Sequence, residues 1–579
     1  MSLQDDVAAR LEEMANLLEA DDVEYKPNAY RRAAESIRDY QGSFDDLVAE
    51  GVDAVGELDH VGDAISSKVV EYAETGEIGE LEELRDRYPV DLDALLRVEG
   101  VGPKTVGTLY DELDVRSLED LESAARAERI RELHGFGPKT EENILGNIEF
   151  AKSAGERTLL GDARPLADDL VDYLSGASPV AHVEVAGSLR RWRATIGDID
   201  VLVGTDDGAA AIDAFLDWDG TDDVIEAGTE KASVRSDGMR VDLRVVVPDE
   251  FGSALQYFTG SKAHNVALRN YAIDRGLKLN EYGAFDVSEV ADPDAGQRVG
   301  DRVAGTDEAS MYDALGLPWI PPEMREDRGE IAAAADDELP ELVTEDDVQG
   351  DLHTHTDSSD GAESIESMLD GAAAFGHDYI AVTDHATGPG VVGSVGVPDE
   401  ELLAQADRIR DAADGYDVEV FTGVEANITA DGELSVDDDV LAELDVVVAS
   451  PHAALDGDGT DRLVRAMEHP AVDILGHPTG RLLNQRSGLD VDAEALAEAA
   501  ARAGVALEIN SDPHRLDLSG GPVKVAVDAG ATIAIDTDAH RTPSFGYVRF
   551  GVHTARRGWA EAADVLNARD ADGVREFLH

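Results

Sequence analysis

From residue 348 to residue 540 the chain repeats one pattern seven times: a short apolar run that stops at residues able to bind a metal. Val348 to Leu352 precedes His353-Thr354-His355, Tyr379 to Thr383 precedes Asp384-His385, and Val418 to Val424 precedes Glu425. Val446 to Pro451 leads to His452, Val472 to Gly476 to His477, Ala506 to Ile509 to Asn510, and Ile533 to Ile535 to Asp536 and on to His540. Alanine-rich helical stretches separate these runs, as expected of βα repeats. In a closed parallel barrel the strand C-termini meet on one face. Six histidines would gather there with Asp360, Glu425 and Asp538, more than one ion needs. A ligand set so rich in nitrogen suits zinc, manganese or iron better than magnesium.

A different chemistry is written into Gly187 to Asp200, G-S-L-R-R-W-R-A-T-I-G-D-I-D. His182 to Ala186 reads as a strand ending at Gly187-Ser188, where a glycine lets backbone amides and a hydroxyl approach a polyphosphate. Arg190, Arg191 and Arg193 supply charge. Asp198 and Asp200 flank Ile199 at the start of a second strand, so their side chains share a face. Asp242, within Met239 to Val247, reads as lying on the neighbouring strand. Three convergent carboxylates can hold two hard divalent ions, the arrangement for in-line nucleotidyl transfer.

Upstream the chain reads as short helices. Val7, Leu11, Met14, Ala15, Leu17 and Leu18 form one apolar stripe, and Lys26 to Ala34 opens a helix with a basic face. Leu96 to Thr105 and Leu133 to Thr140 then share the pattern h-x-G-h-G-P-K-T, carried by Gly100, Gly102 and Lys104 and by Gly135, Gly137 and Lys139. Two glycines make the tight turn, and proline opens a helix whose N-terminal amides can meet a phosphate. Such helix-hairpin-helix units grip a phosphodiester without reading bases.

Against this stands a net charge of -76, since phosphate binding ordinarily rests on basic surface. The acid is spread along the whole chain, and only nine of the 48 basic residues are lysine. That balance suits molar salt, where the Debye length is about 3 Å and self-repulsion is screened. Apolar periodicity throughout argues against disorder. The absence of cysteine excludes disulfides, zinc-thiolate fingers and thiol catalysis. The opening Met1 to Asp6 lacks a signal-peptide pattern, and no apolar stretch reaches about 18 residues, so a soluble, cytoplasmic protein without membrane contact is expected.

Gly187-Ser188, Asp198-x-Asp200, Arg240-x-Asp242 and Tyr257-Phe258-Thr259-Gly260-Ser261, in this order, resemble a family X DNA polymerase over about residues 1 to 322. The resemblance implies that Asp198, Asp200 and Asp242 bind the catalytic ions, Mg2+ or Mn2+, and that Gly187, Ser188, Arg191, Gly197 and Arg240 serve the triphosphate. Tyr257, Phe258 and Gly260 would pack on the sugar and disfavour a ribose 2′-hydroxyl, Asn265 would meet the incoming base, and Arg269 the template. Ile196 stands where some members carry a phosphate-binding serine. Lys26, Tyr30 and Lys68 match the family's 5′-deoxyribose-phosphate lyase or DNA-end site, with Lys68 as Schiff-base lysine. Asp59-His60 there replaces the usual Pro-Gly, and Glu77 and Glu80 stand where relatives often place lysines.

His353 to Gly361, with Thr-Asp-His, Gly-Val-Glu, Ser-Pro-His, Gly-His-Pro and Asp-Ala-His following, resembles a PHP phosphoesterase domain over residues 349 to 579. The implied ligands are His353, His355, Asp360, His385, Glu425, His452, His477, Asp538 and His540, holding Mn2+ and/or Zn2+, up to three ions. The implied activity is a manganese-stimulated 3′-5′ exonuclease, with end cleaning or abasic-site cleavage in some relatives. Arg481, Arg486 and Arg515 are all candidates to hold substrate phosphate.

The expected organisation is multidomain. A helical DNA-end domain (1–85) and a tandem helix-hairpin-helix subdomain (86–155) precede an α+β nucleotidyltransferase palm (156–250) and a nucleotide- and template-contacting subdomain (251–322). An acidic surface linker (323–348) and a (β/α)7 PHP barrel (349–579) follow. Gapped or nicked DNA and dNTPs are the expected partners of a monomer. Two other readings stay open: a nucleotidyltransferase acting on RNA, and a DNA-end scaffold with a PHP phosphatase for small esters.

Overall fold

The computed structural model describes residues 3–578, except 24–25, 39, 41–43, 50, 57, 59, 99, 155–156, 294 and 391–394. The chain divides into two compact units, Met1–Glu156 with Asn484–Arg486, and Arg157–Leu483 with Ser487–His579.

The first unit is helical. Helix α1 (Leu3–Ala20) buries the stripe Val7, Leu11, Met14, Ala15, Leu17 and Leu18 against α2 (Lys26–Arg38), whose Ala33, Ala34 and Ile37 complete the contact. Helix α3 (Asp63–Thr75) carries Lys68. The two hairpins deliver α4 (Pro103–Leu113) and α5 (Pro138–Ala154), each opened by its proline. Gly100 (φ 86°) and Gly135 (φ 91°) take the left-handed conformation that each turn needs. Gly107 in α4 lies so close to the Ala20 backbone that a Cβ would collide with it, which is how α1 and α4 approach. Asp59, one departure from the lyase pattern, lies outside the described residues.

The second unit begins with the palm, where α6 (Leu160–Ser175) covers a five-stranded sheet. Its strands are β1 (His182–Val185), β2 (Ile199–Gly204), β3 (Asp223–Ala227), β4 (Lys231–Ser236) and β5 (Met239–Val246), in the order β1-β2-β5-β4-β3. Leu160, Ala163, Ala167, Leu170 and Leu174 of α6 pack on Val185, Val201, Val203, Val241 and Leu243, the alternate residues of the strands. Helices α7 (Phe251–Thr259) and α8 (Lys262–Ile273) follow, then a small antiparallel sheet of β6 (Leu277–Asn280), β7 (Gly283–Asp286) and β8 (Asp301–Ala304).

The C-terminal part is a parallel barrel of seven strands paired in sequence order: β9 (Gly350–Asp351), β10 (Tyr379–Val382), β11 (Glu419–Asn427), β12 (Val446–Ser450), β13 (Ile474–Leu475), β14 (Ala506–Asn510) and β15 (Ile533–Asp536). Between the first and last strands the barrel nearly closes: Thr354 bridges Ala539, and Leu352 N donates to Asp536 Oδ1. Helix α9 (Val548–Arg557) packs over β14 and β15, and its Phe550 enters the palm core.

Residues 323–348 are not the surface linker their composition suggests. Glu323, Met324, Arg325, Glu330, Leu342 and Val343 are buried. Glu323 accepts from His553 and Arg556 of α9, Arg325 donates to Glu308, and Glu330 pairs with His264. These acids have basic partners distant in sequence, which a local count of charge does not register.

Two candidate metal centres

In the palm, β2 and β5 are parallel neighbours in a register that sets Asp200 opposite Asp242. Asp198, two residues before Asp200, completes a group whose ligand oxygens lie within 4.8 Å of one another. Burial, reinforced by Asp198 and Asp242, pushes Asp200 up to about 7. Three carboxylates crowded at such cost are a donor set that suits hard divalent cations. Gly187 (φ 60°) opens a short helical turn, and a Cβ there would overlap the Asp200 carboxylate, so only glycine fits.

Around this group the expected residues hold defined positions. Arg191 is buried, its Nε donating to Glu326 Oε1 (3.1 Å) and its Nη1 to the Thr259 carbonyl (2.7 Å). Arg240 pairs with Asp242 Oδ1 (2.9 Å), so its charge is shared with a carboxylate of the group. Ser188 follows Gly187 in the short turn, and Gly197 lies beside Arg157. Tyr257 and Phe258 stand edge to face at the end of α7, with the Arg244 guanidinium over Phe258. The Asn265 amide is spent on the Tyr257 and Gly260 carbonyls (2.7 and 3.2 Å), so it braces the turn, and Gly260 leaves room for it. A cleft of about 650 Å³ opens beside Tyr257 and Arg269, lined also by Lys278, Asn280 and Gln297.

In the first unit Lys26, Tyr30 and Lys68 lie together around Glu80. Tyr30, expected at DNA, is 4% exposed in the helical core, where its ring is worth more out of water. Lys68 Nζ lies 3.0 Å from Glu80, which also meets Lys26 at 3.5 Å. Burial alone would lower the Lys68 amine, but Glu80 and Tyr30 outweigh it and raise it. In the hairpins Lys139 is exposed and Lys104 reaches Asp22 (3.4 Å) from an exposed position, while Gly102 caps α4 and Gly137 precedes α5.

In the barrel all nine expected ligands converge. His355, Asp360, His385 and His540 form one group, His353, His355 and Glu425 a second, and His385, Glu425 and His452 a third, each within 4.8 Å. His477 Nε2 lies 3.0 Å from Glu425 Oε1, and His355 Nε2 lies 3.0 Å from Asp538 Oδ1. Burial alone would push Glu425 up, yet His452, His385 and His353 hold it well below the usual carboxylate range. Nitrogens of His353, His355, His385, His452 and His477 and one Glu425 oxygen are buried without a hydrogen bond. Buried donors left in this way fit transition-metal ions. His477 (φ 24°) and Asp538 (φ 54°) hold left-handed backbone, a strain that concentrates at functional sites.

Behind the ligands stand Glu508 and Asn427, which the sequence reading passes over, and Asn510, which it places only at a strand end. Glu508 Oε1 lies 2.6 Å from His353 Nδ1, Asn427 Oδ1 lies 2.7 Å from His452 Nδ1, and Asn510 Nδ2 donates to Asp538 Oδ2 (2.9 Å). Each orients a ligand from behind, and for Glu508 the signal is a carboxylate inside an otherwise apolar strand. Of the candidate arginines, Arg481 is spent on the Arg515 and Leu516 carbonyls. Arg515 brings its Nε to 3.7 Å from Asp538 Oδ2.

Comparison with known proteins follows the same division. Residues 3–78 match a helix-hairpin-helix domain, 92–146 a SAM-like helix-hairpin-helix tandem, 254–326 the DNA polymerase beta thumb and 351–512 the PHP domain. The chain is 36% identical over 582 residues, 99% of each chain, to the DNA polymerase/3′-5′ exonuclease PolX of Bacillus subtilis (strain 168). It is 27% identical over 342 residues to DNA polymerase lambda of Rattus norvegicus, covering 55% of this chain and 56% of that one. A probable phosphatase of Shewanella sp. (strain MR-4) is 32% identical over 209 residues, 34% of this chain and 78% of the relative. With likeness to PolX along its whole length, the chain belongs to the family X DNA polymerases that carry a C-terminal PHP domain.

Proposed function

We propose that this protein fills short gaps in DNA during base excision repair, adding deoxynucleotides at the palm and trimming 3′ ends at the barrel. The observation that carries this reading is the presence of two separate metal-type clusters in a chain matched along its length by a DNA polymerase/3′-5′ exonuclease.

At the palm, Asp198, Asp200 and Asp242 hold two Mg2+ or Mn2+ ions, and Gly187, Ser188, Arg191 and Gly197 take the triphosphate. Tyr257 and Phe258 pack against the sugar, where a ribose 2′-hydroxyl would crowd them, and Arg269 faces the template. The hairpin residues Gly102, Lys104, Gly137 and Lys139 hold the DNA backbone through amides and short-range charge. At the barrel the nine ligands hold Mn2+ and/or Zn2+, and Arg515 receives the phosphate being cut. When bound, the ions at either centre neutralise phosphoryl oxygens and favour the deprotonated form of the attacking hydroxyl or water. The residues of the chain orient the reactants and hold them in line.

The test uses protein in near-molar KCl with Mn2+ on a labelled one-nucleotide gap. Extension with dNTPs, and shortening from the 3′ end without them that His353→Ala removes, are expected. A strong preference for ribonucleotides would refute the role given to Tyr257 and Phe258. The likeness to a probable phosphatase favours a second reading of the barrel alone, as a phosphatase for small esters. Activity on p-nitrophenyl phosphate with none on DNA would establish it.

A further inference from the structure

The turn that carries Arg191 is held by a residue of the PHP barrel. Arg557, the last residue of α9, is buried, and its Nη1 donates both to the Arg191 carbonyl and to Glu326 Oε1 (3.2 Å). The same Glu326 oxygen accepts from Arg191 Nε (3.1 Å), and the other Glu326 oxygen lies 3.5 Å from Arg193 Nη1. Arg557 thus grips Arg191 twice, at its backbone and through the carboxylate that aims its guanidinium. A residue further on, the Trp192 ring stacks on His553 of α9, with centroids 3.5 Å apart and planes 4° from parallel. Gly520 packs directly on the Arg557 Cβ, so the arginine is fixed from the barrel side.

We infer that Arg557 is a positioning residue for the polymerase centre: a helix of the nuclease domain sets the guanidinium that meets the triphosphate. This rests on the reading of Arg191 as a triphosphate ligand. In that reading Arg191 keeps further N–H donors for the nucleotide, while Glu326 and the Thr259 carbonyl fix the plane of its fork. Arg557 touches neither nucleotide nor metal, and it lies outside the nine-ligand cluster, so nuclease activity serves as an internal control.

The experiment measures primer extension, DNA binding and 3′-end shortening by the full-length protein with Arg557→Met, Arg557→Lys and Glu326→Gln. For Arg557→Met, loss of a buried charge-assisted bond predicts a dNTP KM raised about tenfold or more. Its kcat is expected within about twofold of wild type by the same reasoning, since the bond acts on ground-state and transition-state binding alike. DNA affinity and shortening should not change. Arg557→Lys, which keeps the charge, should restore part of the KM, and Glu326→Gln should raise it. An unchanged dNTP KM in Arg557→Met would overturn the inference. So would a lowered KM in Glu326→Gln, because the carboxylate would then compete for Arg191 instead of aiming it. If Arg557→Met fails to fold, shown by lost shortening, the Arg557→Lys and Glu326→Gln values decide. No extension by the wild type would instead overturn the underlying polymerase reading, and the inference with it.

Discussion

Asp200 and Asp242 stand directly opposite each other on adjacent parallel strands, and the cost of that placement is visible in Asp200, pushed up to about 7 by burial, Asp198 and Asp242. Removing one of the pair should cost nucleotide addition its charge stabilisation. We expect Asp242→Ala to lower extension by about a thousandfold or more, on the order of 4 kcal/mol. Shortening of 3′ ends should persist, because the barrel cluster is built on other strands. Loss of both activities would refute two independent centres.

Glu508 should matter for metal retention although it ligates nothing. In Glu508→Gln the partner that orients the His353 ring is neutral, and affinity for Mn2+ or Zn2+ should fall about 10- to 100-fold. Metal content after dialysis against a chelator series measures this directly, independent of turnover. Wild-type retention would make Glu508 a packing residue only.

Arg515→Ala should weaken cleavage through substrate binding. The expected signature is a raised KM for DNA shortening at unchanged metal content, because Arg515 faces the cluster through Asp538 and is not one of the nine ligands. A fall in bound metal would assign it to holding Asp538.

Acid stability follows from the carboxylates buried beside the palm. Burial alone would raise Glu308, but Arg325 and Arg190 hold it down at about 2, against an ordinary value of 4.5. A group depressed in the folded state adds stability that is fully present above about pH 4.5 and lost as the pH falls towards 2, here of order 3 kcal/mol. Urea unfolding of Glu308→Gln should therefore show a shallower loss of stability than wild type between about pH 5 and pH 3. Parallel curves would remove Glu308 from the acid response.

Salt should stabilise the fold, even though it weakens counterion release as a source of DNA affinity. With a net charge of -76, self-repulsion weakens as the Debye length shrinks from about 10 Å at 0.1 M to about 3 Å at 1 M. The melting temperature should climb across that range in KCl, and a flat or falling profile would contradict adaptation to high salt.

The relation of chain to fold differs between the two centres. Most barrel ligands were legible because they follow an apolar run directly or within a few residues, and parallel strands deliver such residues to a common rim; Asp360, in a polar turn, came as a ligand with the resemblance. Asp198 and Asp200 were legible from strand period, and Asp242 from its own apolar strand. Residues 323–348 misled because counted charge looks the same whether a carboxylate meets water or, like Glu323 and Glu330 here, a basic group distant in the chain.

Sequence alone therefore determined what is local: strand period, the glycine turns of the two hairpins, and the ligands that follow six of the seven apolar runs of the barrel. The register that opposes Asp200 to Asp242 was decided only in three dimensions. So were the backing of His353 by Glu508 and the hold of Arg557 on Arg191, a pair far apart along the chain. The physical reason is that backbone periodicity is written into neighbouring residues, whereas a hydrogen bond or an ion pair depends on which distant side chains packing brings within reach.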